Sequence, residues 1–282
     1  MADPRVALVY FSATNVTHSY IQTIQDELLQ RGCAAQPLNV TTLEDRRKPL
    51  SFDGFEAVIF GFPVFSNFAP SVINEWLPTL NGQGKKCATF FTYGGRTTGY
   101  AHFHTSMLLK QADFRLHLTA EFLGRHSFNV GGWKVLSDRP DEEDFRIARE
   151  FAALAIERFS RDNPVLQLQK PFGYPQVLAE LESAPKAKER HWTNPLRSTN
   201  GCSMCLDCET ACPAGAFDAA TGLSDPQTCI GCMHCVTICP DKTIDVPHMI
   251  LEKAFLSNWN LTEEMIGAKK SRIIAQSWQA AF

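Results

Sequence analysis

The chain has 282 residues, of which 44% are hydrophobic and 20% charged, and its 27 Lys and Arg against 30 Asp and Glu give a net charge of −3. This composition fits a globular protein of one or two domains and excludes intrinsic disorder, a strongly basic nucleic-acid surface and a polybasic membrane anchor. No apolar run approaches the roughly 18 residues of a membrane span, and no signal-peptide core is visible. We therefore expect a cytoplasmic protein that binds neither nucleic acid nor membranes.

The first part of the chain alternates short apolar runs with segments of helical periodicity. Predicted strands cover 5–11, 33–40, 57–61, 87–92 and 116–123, and predicted helices cover 18–30, a segment after Pro70, 101–111 and 141–160. Strands that alternate with helices indicate a parallel sheet covered on both faces. We predict an α/β domain over residues 1–160, built on a five-stranded parallel sheet.

Ligands of such sheets bind beyond the carboxyl ends of the strands, where three loops carry suitable residues. The first loop places hydroxyl groups at a helix N-terminus, which suits a phosphate without a basic side chain. In the other two, Phe65 and Tyr93 can stack on a flat ring, and glycines let backbone amides approach its edge. The candidate cofactor-binding residues are Ser12, Ala13, Thr14, Asn15, Val16, Thr17, Pro63, Val64, Phe65, Ser66, Asn67, Thr92, Tyr93, Gly94 and Gly95.

Ten cysteines are the unusual feature of the composition. Cys33 and Cys87 stand alone on predicted strands, where burial as small apolar residues is expected. The other eight fall within 38 residues, as a C-x₂-C-x₂-C-x₃-C-P motif at Cys202 that returns 27 residues later at Cys229. Clustered cysteines in a cytosolic protein indicate metal ligands rather than disulfide bonds.

The doubled motif is the ligand pattern of two-cluster bacterial ferredoxins, in which the fourth cysteine of each run binds the other cluster. Zinc is the alternative, but a tetrahedral site needs only four ligands and no third cysteine at the same spacing. We therefore predict two [4Fe–4S] clusters. The first is held by Cys202, Cys205, Cys208 and Cys239, and the second by Cys229, Cys232, Cys235 and Cys212.

The cysteine motifs also divide the second half of the chain. Residues 161–197, with five prolines and a basic stretch at 186–190, are a predicted linker that is helical near 176–182. Residues 198–247 form a predicted small α+β ferredoxin-like domain. It has one lysine against six carboxylates, and this acidic surface either binds a basic partner or is simply solvated. Residues 248–282 are a helical extension that Thr262 caps, with an apolar stripe at Ile266, Ile273, Ile274 and Trp278.

The loop at 12–17 resembles the FMN phosphate loop of flavodoxins, although Asn15 stands where that family has Gly and Val16 where it has Asn or Thr. A cluster of helix-capping hydroxyls is the alternative reading of the loop. Nearly the whole chain is similar to ferredoxin-fused flavodoxins. Besides this loop, the resemblance rests on four motifs: Gly61-Phe62-Pro63-Val64, Tyr93-Gly94-Gly95, Gly124-x-His126-Ser127 and Arg139-Pro140-Asp141-x-x-Asp144. The resemblance implies a flavodoxin-like fold, FMN, two [4Fe–4S] clusters and electron transfer.

A flavin and two clusters on one chain convert between paired and single electrons. The leading hypothesis is an electron relay between a ferredoxin-like donor and a downstream reductase, with redox proteins as partners and a homodimer left open. The alternative is a flavin-dependent reductase of a small molecule, with acid–base candidates at Tyr93, His102, His104 and His126. A third hypothesis is a redox sensor that binds a regulator or nucleic acid. It has little support, because the sequence contains no basic motif of the kind that reads DNA.

Overall fold

The computed structural model describes residues 4–183, 194–198 and 200–275. The first domain alternates strands and helices in the order β1 (Arg5–Tyr10), α1 (Val16–Gln30), β2 (Ala34–Asn39), α2 (Leu43–Arg47), β3 (Ala57–Pro63), α3 (Ser71–Trp76), β4 (Lys85–Tyr93), α4 (Ala101–Gln111), β5 (Phe114–Leu123) and α5 (Glu142–Ser160). The five predicted strands are confirmed with shifts of a few residues at their ends. The short helix α2 was not predicted; its Thr42 cap forms a reciprocal capping box with Asp45.

The five strands pair in parallel in the order β2-β1-β3-β4-β5. This is the flavodoxin-like order of doubly wound sheets, and it places the switch point between β1 and β3. The inner strands β1, β3 and β4 are largely buried on both faces because helices cover both: Phe60 and Phe91 pack on the α3 and α4 side, and Ile59 and Phe90 on the α1 and α5 side. The predicted α/β architecture is therefore confirmed.

A segment after α5 returns across the first domain. The backbone N–H of Leu166 donates to the carbonyl oxygen of Leu116 over 2.7 Å. Helix α6 (Tyr174–Ser183) then packs on α4, where the ring centroid of Tyr174 lies 5.0 Å from that of Phe103. The basic stretch at 186–190 lies outside the described residues.

The second domain contains short elements around the cysteine motifs: β6 (Leu196–Arg197), α7 (Asp207–Thr210), β7 (Phe217–Asp218), β8 (Leu223–Ser224), α8 (His234–Ile238) and β9 (Ile244–Asp245). The strands form an antiparallel sheet in the order β7-β8-β6-β9. The sequence repeat is also a backbone repeat, since Leu206 and Met233, 27 positions apart, both cap a helix in the left-handed conformation.

The C-terminal extension differs from the prediction. After α9 (Glu252–Asn258), the Thr262 hydroxyl does cap α10 (Glu263–Gly267), but this helix ends after five residues. Ile273 and Ile274 then lie in β10 (Arg272–Ile274), which pairs antiparallel with β5 as a sixth strand. The predicted helix through these residues was wrong, because β-branched side chains and the unpaired backbone edge of β5 favour a strand there. Trp278 lies outside the described residues.

In the described part of the chain, no helix has the length and apolar character needed to cross a bilayer.

Candidate functional site

A cavity of about 640 Å³ opens at the carboxyl edge of the parallel sheet. All three predicted loops line it, and so do the loop after β5, the second cysteine motif and the C-terminal extension. Its described lining residues are Ser12, Ala13, Thr14, Val16, Thr17, Pro63, Val64, Phe65, Ser66, Asn67, Thr92, Tyr93, Gly94, Arg96, Thr97, Arg125, His126, Ser127, Phe128, Ile230, Gly231, Ile250, Phe255, Asn258 and Trp259. The volume lies in the range typical of cofactor sites.

The loop after β1 turns sharply into the N-terminus of α1. Asn15 adopts a left-handed conformation with φ of 66° immediately before α1, which an asparagine tolerates better than most other residues with a side chain. The hydroxyl of Ser12 accepts the backbone N–H of His18 over 3.0 Å, and the Thr17 and Thr92 hydroxyl oxygens are 2.9 Å apart. The loop therefore keeps its turn without glycine, while two of its hydroxyls bond within the protein.

The two predicted ring-binding loops both line the cavity. Ser66 and Asn67 have positive φ at the tip of a tight turn closed by Phe65 and Phe68. Tyr93 lines the cavity but is 8% exposed, and burial followed by the charge of Glu121 raises the pKa of its phenol.

The two predicted glycines of the third loop differ in what they face. A Cβ on Gly94 would lie 2.6 Å from the ring of His126, which lines the cavity, so the lack of a side chain lets these groups approach. A Cβ on Gly95 would lie 2.3 Å from Ile266, so this glycine accommodates the C-terminal extension instead. Neither Gly95 nor Asn15 is among the described lining residues.

Two arginines that the sequence did not single out line the cavity. Arg96 donates a hydrogen bond to Oδ1 of Asn67, and its guanidinium carbon lies 3.9 Å from the ring centroid of Trp259. Burial lowers its pKa, although an arginine stays charged at neutral pH. Arg125 donates through Nη2 to the carbonyl oxygen of Thr14 over 3.4 Å. Among the described lining residues there is no Asp or Glu, so the cavity favours an anionic ligand.

His126 also lines the cavity, between two aromatic rings. Its Nδ1 accepts the backbone N–H of Phe128 over 3.1 Å, and its ring stacks on Trp133 with centroids 4.9 Å apart. Burial, followed by the charge of Arg96, lowers the pKa of His126 to about 4. The imidazole is therefore neutral at physiological pH, and its proton lies on Nε2 because Nδ1 is an acceptor.

The other two histidine candidates lie away from the cavity. Nδ1 of His102 is 2.7 Å from the Thr119 hydroxyl, and Nε2 is 3.6 Å from a carboxylate oxygen of Glu121. Nδ1 of His104 is 2.7 Å from the Tyr174 hydroxyl. Burial lowers the pKa of both. These histidines connect helix α4 to its neighbours, which is a structural position.

The eight clustered cysteines surround two further cavities, each lined by four of them. One holds Cys202, Cys205, Cys208 and Cys239, and the other holds Cys212, Cys229, Cys232 and Cys235. Within the described ranges, no three His, Cys, Asp or Glu side chains converge closely enough to hold a single metal ion. Thiols spaced around a cavity fit a cubane cluster better than a tetrahedral zinc ion. Cys33 and Cys87 are buried elsewhere.

The second cysteine motif contacts the flavodoxin-like domain directly. Ile230, between Cys229 and Cys232, lines both the large cavity and the cavity of the second set of cysteines. Cys232 is 7% exposed and belongs to the core of the first domain. The first cysteine motif contacts this domain as well, since Nη2 of Arg46 donates to the carbonyl oxygen of Pro213, which follows Cys212.

Comparison with known proteins assigns the second domain. Residues 194–248 match a family described as 4Fe-4S dicluster domain. None of the curated proteins compared with the chain matches it.

Solved structures similar to this chain match about half of it. A flavodoxin from the domain Archaea is 16% identical over 56% of this chain and 99% of its own, with a TM-score of 0.41. Rubredoxin oxygen:oxidoreductase from Desulfovibrio gigas is 15% identical over 56% of this chain and 37% of its own, with a TM-score of 0.42. Oxidised flavodoxin 2 from Bacillus cereus is 16% identical over 54% and 98%, with a TM-score of 0.39.

The strand order defines the first domain as flavodoxin-like, and the family match defines the second as an iron–sulfur domain. The chain therefore joins a flavodoxin-like fold to a 4Fe-4S dicluster domain, the combination that the sequence motifs implied.

Proposed function

We propose that this protein relays low-potential electrons between a ferredoxin-like donor and a downstream reductase, using FMN and two [4Fe–4S] clusters. A flavin exchanges electrons one or two at a time, whereas each cluster carries one. The large cavity, with a helix N-terminus and arginines in its lining, suits the phosphorylated flavin.

The cysteine cavities support the exchanged ligand sets. In each cavity, three cysteines come from one motif and the fourth, which precedes a proline, comes from the other. Cys239 completes the first set and Cys212 the second. Apolar residues between the thiols, such as Phe217 and Ile244, exclude water from this region, which lowers the potential of a bound cluster.

The observation that carries the proposal is the position of Ile230, which lines both the flavin cavity and the cavity of the second cluster. A redox centre at Cys229 and Cys232 is therefore separated from the flavin cavity by the thickness of one loop. This adjacency supports the order flavin, second cluster, first cluster along the chain of centres.

The first cluster has the more exposed surroundings. Cys205 is exposed, and Met204 and Leu206 beside it are 46% and 44% exposed. Asp207 and Glu209 follow immediately in α7. An apolar centre with an acidic rim is typical of a surface that binds a basic partner transiently, so we propose that the donor docks here.

A direct reduction of a small molecule is the second candidate, and one observation favours it. His126 lines the flavin cavity with its proton on Nε2, where it can donate to a ligand. We rank the relay first because the second cysteine motif contacts the same cavity.

Anaerobic purification followed by flavin, iron and sulfide analysis tests the proposal. We expect one FMN and two clusters per chain, and bleaching of the clusters before flavin reduction when a one-electron reductant is added. Protein without flavin, or flavin that stays oxidised while the clusters are reduced, contradicts it. Turnover of a small molecule with the clusters kept oxidised supports the second candidate instead.

A further inference from the structure

The loop that follows β5 brings a cationic side chain to the loop that follows β1. Nη2 of Arg125 donates to the carbonyl oxygen of Thr14 over 3.4 Å, and both residues line the cavity. The neighbouring residues Gly124 and Val16 make this approach possible, because a Cβ on Gly124 would lie 2.3 Å from Cγ1 of Val16. A residue with a side chain at position 124 would hold the two loops apart.

The loop after β1 offers an anion only neutral donors. The Ser12 hydroxyl accepts a hydrogen bond from the backbone N–H of His18 and keeps its own O–H to donate, the Thr17 hydroxyl pairs with that of Thr92, and Val16 has no polar group. Backbone N–H groups and the dipole of α1 remain, but they carry no full charge. Hydrogen bonds from an ionised donor are about twice as strong as those from neutral donors.

The positive charge of the cavity is a local property, because the whole chain has a net charge of −3. Of the two lining arginines, Arg96 is held by Asn67 and by the ring of Trp259. Arg125 is the one that contacts the loop after β1. Arg125 is exposed and lines the cavity, and within the described part of the chain its guanidinium makes a single long hydrogen bond, to the Thr14 carbonyl oxygen, so its other N–H groups can reach a ligand.

We propose that Arg125 binds the phosphate group of the flavin and makes the cavity selective for a phosphorylated flavin over riboflavin. The inference rests on the proposed function, because it requires a flavin in this cavity. A guanidinium presents parallel N–H groups that match two phosphate oxygens. The end of β5 thus supplies the charge that the loop after β1 does not.

Titration of flavin-depleted, full-length protein with FMN and with riboflavin, under anaerobic conditions, tests this assignment. We expect Arg125→Gln to weaken FMN binding by about tenfold to a hundredfold, and to leave riboflavin binding unchanged. Arg125→Lys should give an intermediate FMN affinity, because it keeps the charge but not the paired donors. The matched control is Arg149→Gln on α5, where the arginine pairs with Glu142.

The outcomes separate the inference from the function on which it rests. An Arg125→Gln variant that keeps wild-type FMN affinity, or that loses FMN and riboflavin affinity equally, overturns the role of Arg125 alone. Wild-type protein that binds neither flavin overturns the proposed function and this inference together. Loss of FMN affinity in the Arg149→Gln control as well would mean a general charge effect and would also overturn the assignment.

Discussion

Nδ1 of His234 donates a hydrogen bond to the carbonyl oxygen of Ala13 over 2.8 Å. The first residue lies in the second cysteine motif and the second in the loop after β1, so the bond joins the two proposed cofactor sites. A carbonyl oxygen can only accept, and the imidazole proton therefore lies on Nδ1 when the ring is neutral. The relative position of the two sites thus depends on a specific side chain.

Replacing His234 should loosen this junction. We expect His234→Ala to weaken FMN binding by about fivefold, since a lost neutral hydrogen bond costs about 1 kcal/mol, and to slow flavin reduction through the clusters. His248→Ala is the matched control, because His248 is exposed. Flavin titration and stopped-flow absorbance measure both effects at equal iron content. Equal behaviour of the two variants would contradict the role of His234.

The contact between Gly124 and Val16 should be sensitive to one added methyl group. Gly124→Ala places a Cβ 2.3 Å from Cγ1 of Val16, whose β-branched side chain has little freedom in a helix. We expect a loss of about 1–3 kcal/mol in unfolding free energy and weaker FMN binding. The double variant Gly124→Ala, Val16→Ala should recover most of both. Gly267→Ala, where a Cβ meets nothing within 4 Å, is the control.

His126 should make stability depend on pH. Its pKa is lowered to about 4 in the folded protein by burial and Arg96, and an unfolded histidine has a pKa of about 6.5. The unfolded state therefore binds more protons between these values, so the stabilisation is complete above about pH 6.5 and is lost as the pH falls toward 4.

A variant without this imidazole isolates its contribution from other acid effects. We expect wild-type protein to lose on the order of 2–3 kcal/mol more than His126→Asn across that window. Anaerobic thermal unfolding of both proteins at matched pH values measures the difference. Parallel pH profiles of the two proteins would show that His126 does not titrate in this way.

Arg96 should influence the potential of the bound flavin. A cation in the cavity favours the added negative charge of a reduced flavin, and its removal makes reduction harder. We expect Arg96→Gln to lower the flavin midpoint potential by tens of millivolts, on the order of 1 kcal/mol or more. Arg149→Gln should leave it unchanged. A spectroelectrochemical titration decides, and an unchanged potential in Arg96→Gln would contradict the prediction.

The parts of the fold that the sequence predicts correctly are those with strong local signals. Short apolar runs that alternate with segments of helical periodicity predict the five parallel strands. The end of the chain was predicted wrongly, because Ile273 and Ile274 fit a helical stripe as well as a strand. Only the free edge of β5, which is distant in sequence, decides between them.

The same limit applies to the site. The predicted loops at 12–17 and 63–67 line the cavity largely as expected, since each follows a strand of the sheet. Arg125, Ile230 and Trp259 were missed because they come from distant parts of the chain and belong to no motif of a flavin loop. The one available signal was the cationic residue inside the Gly124-x-His126 motif, where Arg125 follows a glycine at the end of β5.

The most direct test of the relay is the dependence of flavin reduction on protein concentration. Fully oxidised protein is mixed anaerobically with a one-electron reductant in a stopped-flow instrument, and cluster and flavin absorbance are followed together. The account predicts that flavin reduction follows cluster reduction at a rate that does not change with protein concentration, because the second cysteine motif lies against the flavin cavity. Flavin reduction that precedes cluster reduction, or that accelerates in proportion to protein concentration, would contradict it.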